Sequence, residues 1–260
     1  QYTRTNSYFS NSELGARGLP GKKELELLKP LQEHLPQEVF SSVYEAPKTD
    51  ASGGIRKNLR KAVQLLKEAG MTYQDRKLVD KKTGKPFEFE ILLRSQAFER
   101  VVLPFKKNLA RLGIEVSIRL VDMSQYVNRV RNFDYDMIVG VIPQSLSPGN
   151  EQRYFFHSEA AQVPGTRNYM GIENPAIDAL VQEVIQAEDR SALITACRAL
   201  DRALLWGFYV LPHWHIGYYR VAYWNKFSQP ELSPAYDLAL YTWWVDQEKK
   251  KSLLAEEYKE

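Results

Sequence analysis

The chain has a single cysteine, Cys197, in 260 residues. No disulfide can form within it and no thiolate cluster can hold a metal. Cys197 falls on the apolar stripe of an expected helix, so it is read as a buried, inert thiol. Long apolar runs are also missing. Nothing approaches the roughly 20 residues of a membrane-spanning helix, and no apolar leader opens the chain. The first residue is Gln1 and not Met, so the beginning is expected to be processed, trimmed or cut from something longer. An excess of one charge is absent: 35 basic residues face 32 acidic ones, for a net charge of +3. That balance argues against a nucleic-acid partner. Internal repeats and low-complexity tracts are absent as well.

What is present is ordinary globular composition, with 44% apolar and 26% charged residues. The length suffices for one large or two modest domains with real cores. Aromatics are plentiful, including 15 Tyr and 5 Trp.

Residues 1–54 read as irregular. Tyr2, Tyr8 and Phe9 sit among Asn, Ser and Thr, and Pro20, Pro30, Pro36 and Pro47 interrupt the rest of the segment. A short helix fits Lys22 to Leu28, and Asp50 to Gly54 reads as a flexible joint. The segment shows little core of its own and is expected to pack on a part of the protein outside this chain. From Ile55 the pattern becomes regular. Leu59, Ala62, Val63 and Leu66 repeat at helical spacing, with Gly70 as the left-handed stop. A hairpin is expected over Leu78 to Pro86, turning at Lys82-Thr83-Gly84. Phe87, Phe89, Ile91 and Leu93 alternate as a strand. A helix is next, from Phe98 to Leu112, with Pro104 implying a kink or a late start. Ile114 to Leu120 alternates again, giving strand–helix–strand with a crossover long enough for a parallel pair. Asp122 or Ser124 then caps a helix to about Arg131, and Tyr135 to Ile142 is the next strand.

That strand runs into the loop Pro143 to Arg153, stiffened by Pro143 and Pro148 and opened by Gly149. An elaborated loop at the carboxyl end of a strand is where open α/β sheets place ligands. It carries no nucleophile–base pair, no phosphate-cradling glycines and no metal spacing. Beyond it, Asn174-Pro175 starts a helix and Asp189 caps a second, with Leu193, Cys197, Leu200 and Leu204 inward. The aromatics from Trp206 to Trp224 read more as core than as a ligand platform, with short strands at Tyr209 to Leu211 and Tyr219 to Ala222. Asp246 to Glu260 reads as a polar helix.

Several residue sets carry possible chemistry. His213 and His215 share a strand face, but no nearby carboxylate or thiol completes a metal site. Asp134 and Asp136 precede a strand at its amino end, which favours turn or capping roles over acid–base work. Ser145 and Ser147 lack a nucleophile elbow and a motif-marked histidine. Arg56, Lys57, Arg60 and Lys61 line a helix start and read as a solvated face.

Taken in order, these residues resemble a known family. Ala62-Val63-Gln64-Leu65-Leu66-Lys67-Glu68-Ala69-Gly70, Leu109 to Val116 (L-x-x-L-G-I-x-V), Asp134-Tyr135-Asp136-Met137, Asn174 to Leu180 (N-P-x-I-D-x-L) and Leu211-Pro212-His213-Trp214 resemble the large extracytoplasmic solute-binding proteins for peptides. Gln144 to Arg153 and Val221-Ala222-Tyr223-Trp224 resemble its YejA-type branch, the binding components of peptide ABC importers in Gram-negative bacteria.

The resemblance covers the carboxyl-terminal part of such proteins. It implies an α/β, periplasmic-binding-protein type II-like lobe with βαβ units, plus flanking segments of the other lobe. It would assign 1–54 to the first lobe and hinge, 55–205 to the second lobe and 206–260 to a return to the first. It implies a periplasmic, non-catalytic protein that captures peptide between two lobes and delivers it to an inner-membrane permease, without cofactor or metal. The missing amino-terminal portion of the same protein would be a further partner. The implied ligand-binding residues are Val141, Ile142, Pro143, Gln144, Ser145, Leu146, Ser147 and Asn150. In better-known relatives an aspartate at the position of Gln144 pairs with the peptide amino terminus; a neutral amide cannot form that ion pair. The rival readings are a serine-type hydrolase acting on peptides or esters and a non-catalytic interaction module.

Overall fold

A computed structural model describes residues 2–49, 54–232, 234 and 237–257. Most of the expected joint at Asp50 to Gly54 lies outside the described residues, as do positions 258–260 of the expected tail helix. In chain order the elements are β1 (Thr3–Arg4), α1 (Lys22–Leu28), α2 (Glu38–Ser41), α3 (Arg56–Glu68), β2 (Met71–Gln74), β3 (Lys77–Asp80), β4 (Glu88–Leu93), α4 (Glu99–Ala110), β5 (Glu115–Leu120), α5 (Met123–Arg131), β6 (Met137–Ile138), α6 (Glu151–Phe156), α7 (Pro175–Ile185), α8 (Arg190–Trp206), β7 (Trp214–His215), β8 (Phe227–Ser228), β9 (Trp244–Val245) and α9 (Gln247–Glu257). They form two compact units: Asn6–Pro212, and Gln1–Thr5 together with His213–Glu260.

The unit Asn6–Pro212 contains two apolar cores. The first surrounds a three-stranded parallel sheet in the order β5-β4-β6. Ile91, Leu93, Val116 and Ile114 are buried there, together with Val102 and Leu112. Leu59, Ala62, Val63 and Leu66 of α3 pack onto it, as the helical spacing requires. The β4–α4–β5 crossover is the expected parallel unit. Pro104 lies inside α4, which has no late start. Asp122 caps α5, accepting from the Gln125 amide at 2.9 Å.

One expectation is met in this region, one element was missed and one is corrected. The Leu78–Pro86 hairpin forms through an antiparallel Val79–Pro86 bridge, with the Asp80 amide donating to the Lys85 carbonyl at 2.9 Å and the Phe87 amide to the Leu78 carbonyl at 2.8 Å. A second hairpin, β2–β3, precedes it and turns at Asp75-Arg76, where both residues have positive φ. The next strand, expected over Tyr135 to Ile142, is reduced to Met137–Ile138, paired with Ile91 and Leu92 at the sheet edge. Gly140 and Pro143 come after it, and proline cannot donate to a ladder. Gly113 closes the turn before β5 with φ of +74°. A Cβ there would stand 2.8 Å from the Leu78 nitrogen and 2.9 Å from the Arg76 carbonyl oxygen.

The second core lies among α6, α7 and α8. Phe156, Ile177, Leu180, Cys197, Leu200 and Leu204 are fully buried there. Asn174 caps α7, with Pro175 at its first position, and Asp189 caps α8. The opening segment joins this core: Phe9, Leu14, Leu28 and Val39 are buried in it. The segment expected to lack a core thus shares one with α7 and α8. Two adjacent residues of α8 tie it down. Asp201 accepts from the Tyr8 and Ala16 amides, both at 2.8 Å. Arg202 donates to Glu24 at 2.6 Å and to the Gly18 and Arg17 carbonyls at 2.8 and 2.9 Å. Cys197 is buried, and that burial pushes its thiol up to about 12.

In the other unit, β1 pairs with β7 and β8 with β9, both antiparallel. The strands expected at Tyr209 to Leu211 and Tyr219 to Ala222 are not formed. The core reading of the late aromatics also fails for most of them: Phe208, Tyr218, Tyr219, Tyr223 and Trp224 are exposed. The short strands leave no broad sheet face on which to bury these rings.

Candidate ligand-binding loop

The loop begins where β6 ends and passes from one core to the other. Val139 packs on the sheet core and Ile142 on the α6–α8 core. Only Gly140 and Val141 lie between, and Val141 is 79% exposed. Two tyrosines brace the entry. The Tyr126 hydroxyl donates to the Val139 carbonyl at 3.5 Å, and the Tyr135 hydroxyl donates to the Tyr169 carbonyl at 2.9 Å. Burial pushes the Tyr135 phenol up to about 12, so it stays a donor.

Past Ile142, paired amides hold the loop. Gln144 Nε2 donates to Gln152 Oε1 at 3.1 Å, and Gln152 Nε2 donates back to Gln144 Oε1 at 2.7 Å. Gln152 is completely buried in α6. A buried amide needs such partners, and Gln144 supplies both a donor and an acceptor. Farther along, the Ser147 amide donates to Ser145 Oγ at 3.1 Å and the Gly149 amide to Glu151 Oε1 at 3.0 Å. Arg190 donates to the Leu146 carbonyl and, from Nε and Nη2, to Glu13 Oε1 at 2.9 and 2.5 Å. Pro148 is buried.

The eight expected site residues therefore divide. Val141, Pro143, Ser145, Leu146, Ser147 and Asn150 are exposed. The Asn150 side chain makes no hydrogen bond among the described residues. Ile142 turns inward, so it offers backbone and not side chain. Gln144 is half-buried and already paired. Gln152, Arg190 and Glu13 were missed by sequence reasoning. Gln152 stands in the polar run Asn150-Glu151-Gln152-Arg153, so nothing local marked it as the buried member.

The other candidates take structural roles. Asp134 accepts from Arg129 Nε at 2.9 Å, and Asp136 accepts from the Glu90 amide at 2.8 Å. His213 stacks on Trp214, with centroids 5.0 Å apart and planes 7° from parallel. Burial lowers its pKa. No group of three metal-ligating side chains occurs among the described residues. No histidine hydrogen-bonds Ser145 or Ser147 among them.

A parallel sheet wound by crossover helices, with an elaborated loop at its carboxyl edge, is the α/β architecture of the type II periplasmic binding proteins. The solved oligopeptide-binding protein AppA from Bacillus subtilis, in complex with a nonapeptide, shares the fold with a TM-score of 0.58 at 20% identity, over 86% of this chain and 45% of AppA. The model of the bacterial extracellular solute-binding proteins, family 5 (middle), matches residues 25–162, and the chain belongs to that family. Among curated relatives, protein y4wM of Sinorhizobium fredii is 47% identical over 94% of this chain and 37% of its own length. The "Probable peptide-binding protein YejA" of Agrobacterium fabrum is 43% identical over 94% of this chain and 40% of its own length. The chain thus spans about two fifths of these relatives.

Proposed function

We propose that this chain is part of a periplasmic solute-binding component of a peptide ABC importer. In this reading it captures peptides without chemically altering them and delivers them to an inner-membrane permease. One observation carries the reading: a braced loop at the carboxyl edge of the sheet whose outward groups are Val141, Ser145, Ser147 and Asn150. Backbone amides and carbonyls of an extended ligand can pair with such groups, leaving side-chain choice loose. The names of the Agrobacterium relative and of AppA support a peptide as ligand.

In place of the expected 55–205 lobe, the lobe boundary in this reading lies between the two cores. The chain passes from the sheet body to the α6–α8 core at Gly140-Val141, and rotation there would close the site. The opposite wall belongs to a longer polypeptide, for which the exposed aromatics of the His213–Glu260 unit are a contact face. Among the described residues no histidine hydrogen-bonds Ser145 or Ser147, so the hydrolase reading has no paired nucleophile and base to rest on.

Mass spectrometry of material co-purifying with the full-length protein tests the reading, with peptides as the expected finding. In calorimetry with such a peptide, Asn150→Ala and Gln144→Ala are expected to weaken binding. Unchanged affinity in both variants removes this loop from the site.

A further inference from the structure

The near balance of charge over the whole chain hides a segregation. Residues 55–115, which build α3, β2 to β4, α4 and the start of β5, hold 15 Lys and Arg against 7 Asp and Glu, a net of +8. The rest of the chain holds 20 against 25. On α3 the segregation becomes a face. Arg56, Lys57, Arg60, Lys61 and Lys67 are all exposed, while Leu59, Ala62, Val63 and Leu66 turn to the sheet core. The first turn contains no acidic residue. Two cations at the positive end of a helix dipole are an unfavourable placement. None of the five forms an ion pair among the described residues; Lys61 reaches only Gln64, at 3.4 Å. Leu65, one turn after Lys61, is 50% exposed at the edge of this face, whose one exposed carboxylate, Glu68, accepts from Gln64 at 2.8 Å.

We propose that the outer face of α3 is a docking surface for anionic phospholipid bilayers. Unpaired cations spaced along one helix face match a plane of headgroup phosphates. An exposed leucine among them matches the acyl boundary just below, which an acidic protein surface would not require. The apolar stripe of α3 is already spent on the core, so the helix lies on the surface and does not insert. The contact would hold the protein at the membrane electrostatically and release it with salt. This inference stands whether or not the chain binds peptide.

Vesicle co-sedimentation of the intact protein tests it. Vesicles of about 30% phosphatidylglycerol in phosphatidylcholine are compared with pure phosphatidylcholine at low and high salt. Binding is expected only to the anionic vesicles, and to fall steeply as salt rises. Each cation near such a surface multiplies the partition by roughly five. The fourfold variant Arg56→Gln, Lys57→Gln, Arg60→Gln, Lys61→Gln should therefore lose at least about tenfold. These substitutions keep good helix formers on a solvent face, and an unchanged circular dichroism melt verifies folding. Lys81→Gln, Lys82→Gln, Lys85→Gln removes three cations from the turn after β3 and should lose less than about threefold. Leu65→Ala should weaken the binding that remains at high salt. Equal binding to both vesicle types overturns the proposal, and so does an equal loss in the two charge variants. Retention on a DNA duplex as strong as on the vesicles would overturn the lipid assignment.

Discussion

Arg202→Met should be among the most damaging single changes in the chain. Arg202 is 3% exposed, and its guanidinium lies 2.6 Å from a Glu24 carboxylate that is itself buried. Its other two bonds go to the carbonyls of Arg17 and Gly18, which are exposed residues able to turn to water. The loss is therefore dominated by Glu24, left as an uncompensated buried charge. Breaking such a pair from one side costs about 3–5 kcal/mol. Removing both charges is different: Arg202→Met with Glu24→Leu leaves no orphan and should recover at least about 2 kcal/mol of the loss. Urea unfolding monitored by tryptophan fluorescence measures both, with the slope against urea checking that the unfolded state is unchanged. A single-variant loss below about 1 kcal/mol, or a double variant no better than the single one, would refute the reasoning.

Neighbouring features lead to three further outcomes. Burial pushes the Asp201 carboxyl up to about 6, against its two amide donors and Arg202. A raised folded-state pKa contributes stability that is complete below the unfolded value of 3.8 and is lost as pH rises through about 6. The stability margin of the wild type over Asp201→Asn should accordingly shrink between pH 4.5 and pH 7 in urea titrations; a margin that grows would mean the amide donors outweigh burial. Gly113→Ala should cost about 2 kcal/mol or more, because it combines positive φ with a Cβ against two backbone atoms; a melting temperature within a degree of wild type would contradict this. Gln152→Leu keeps the shape of α6 but strands the Gln144 amide. It should cost about 1–2 kcal/mol and speed hydrogen exchange of the amides at 144–147, while exchange in α8 stays unchanged.

Much of the sheet body was legible because its periods are unambiguous. Leu59 to Leu66 repeats at helical spacing, Phe87 to Ile91 alternates as a strand does, and Asp122 sits at a cap position. The β2–β3 hairpin escaped because its turn uses Asp75 and Arg76 in left-handed conformations, without the glycine that marks such turns. The core under the opening segment escaped because Phe9, Leu14 and Leu28 show no period. The segment is tied down by Asp201 and Arg202 through contacts that span 178 to 193 positions. At the candidate site, the loop and its place at the sheet edge were legible, whereas the pairing of Gln144 with Gln152 was not. Local sequence says that an amide is present, but only tertiary placement decides which amide it meets.

The lone thiol has a practical consequence. Cys197 is sealed in the α6–α8 core with its thiol far from ionisation at neutral pH, so it should ignore maleimide and disulfide reagents in the folded protein. A cysteine placed at exposed Ser145, with a second on the sheet body, would then be the only pair to accept dyes. The gap across Gly140-Val141 could be tracked as a distance in solution, with the native cysteine left in place.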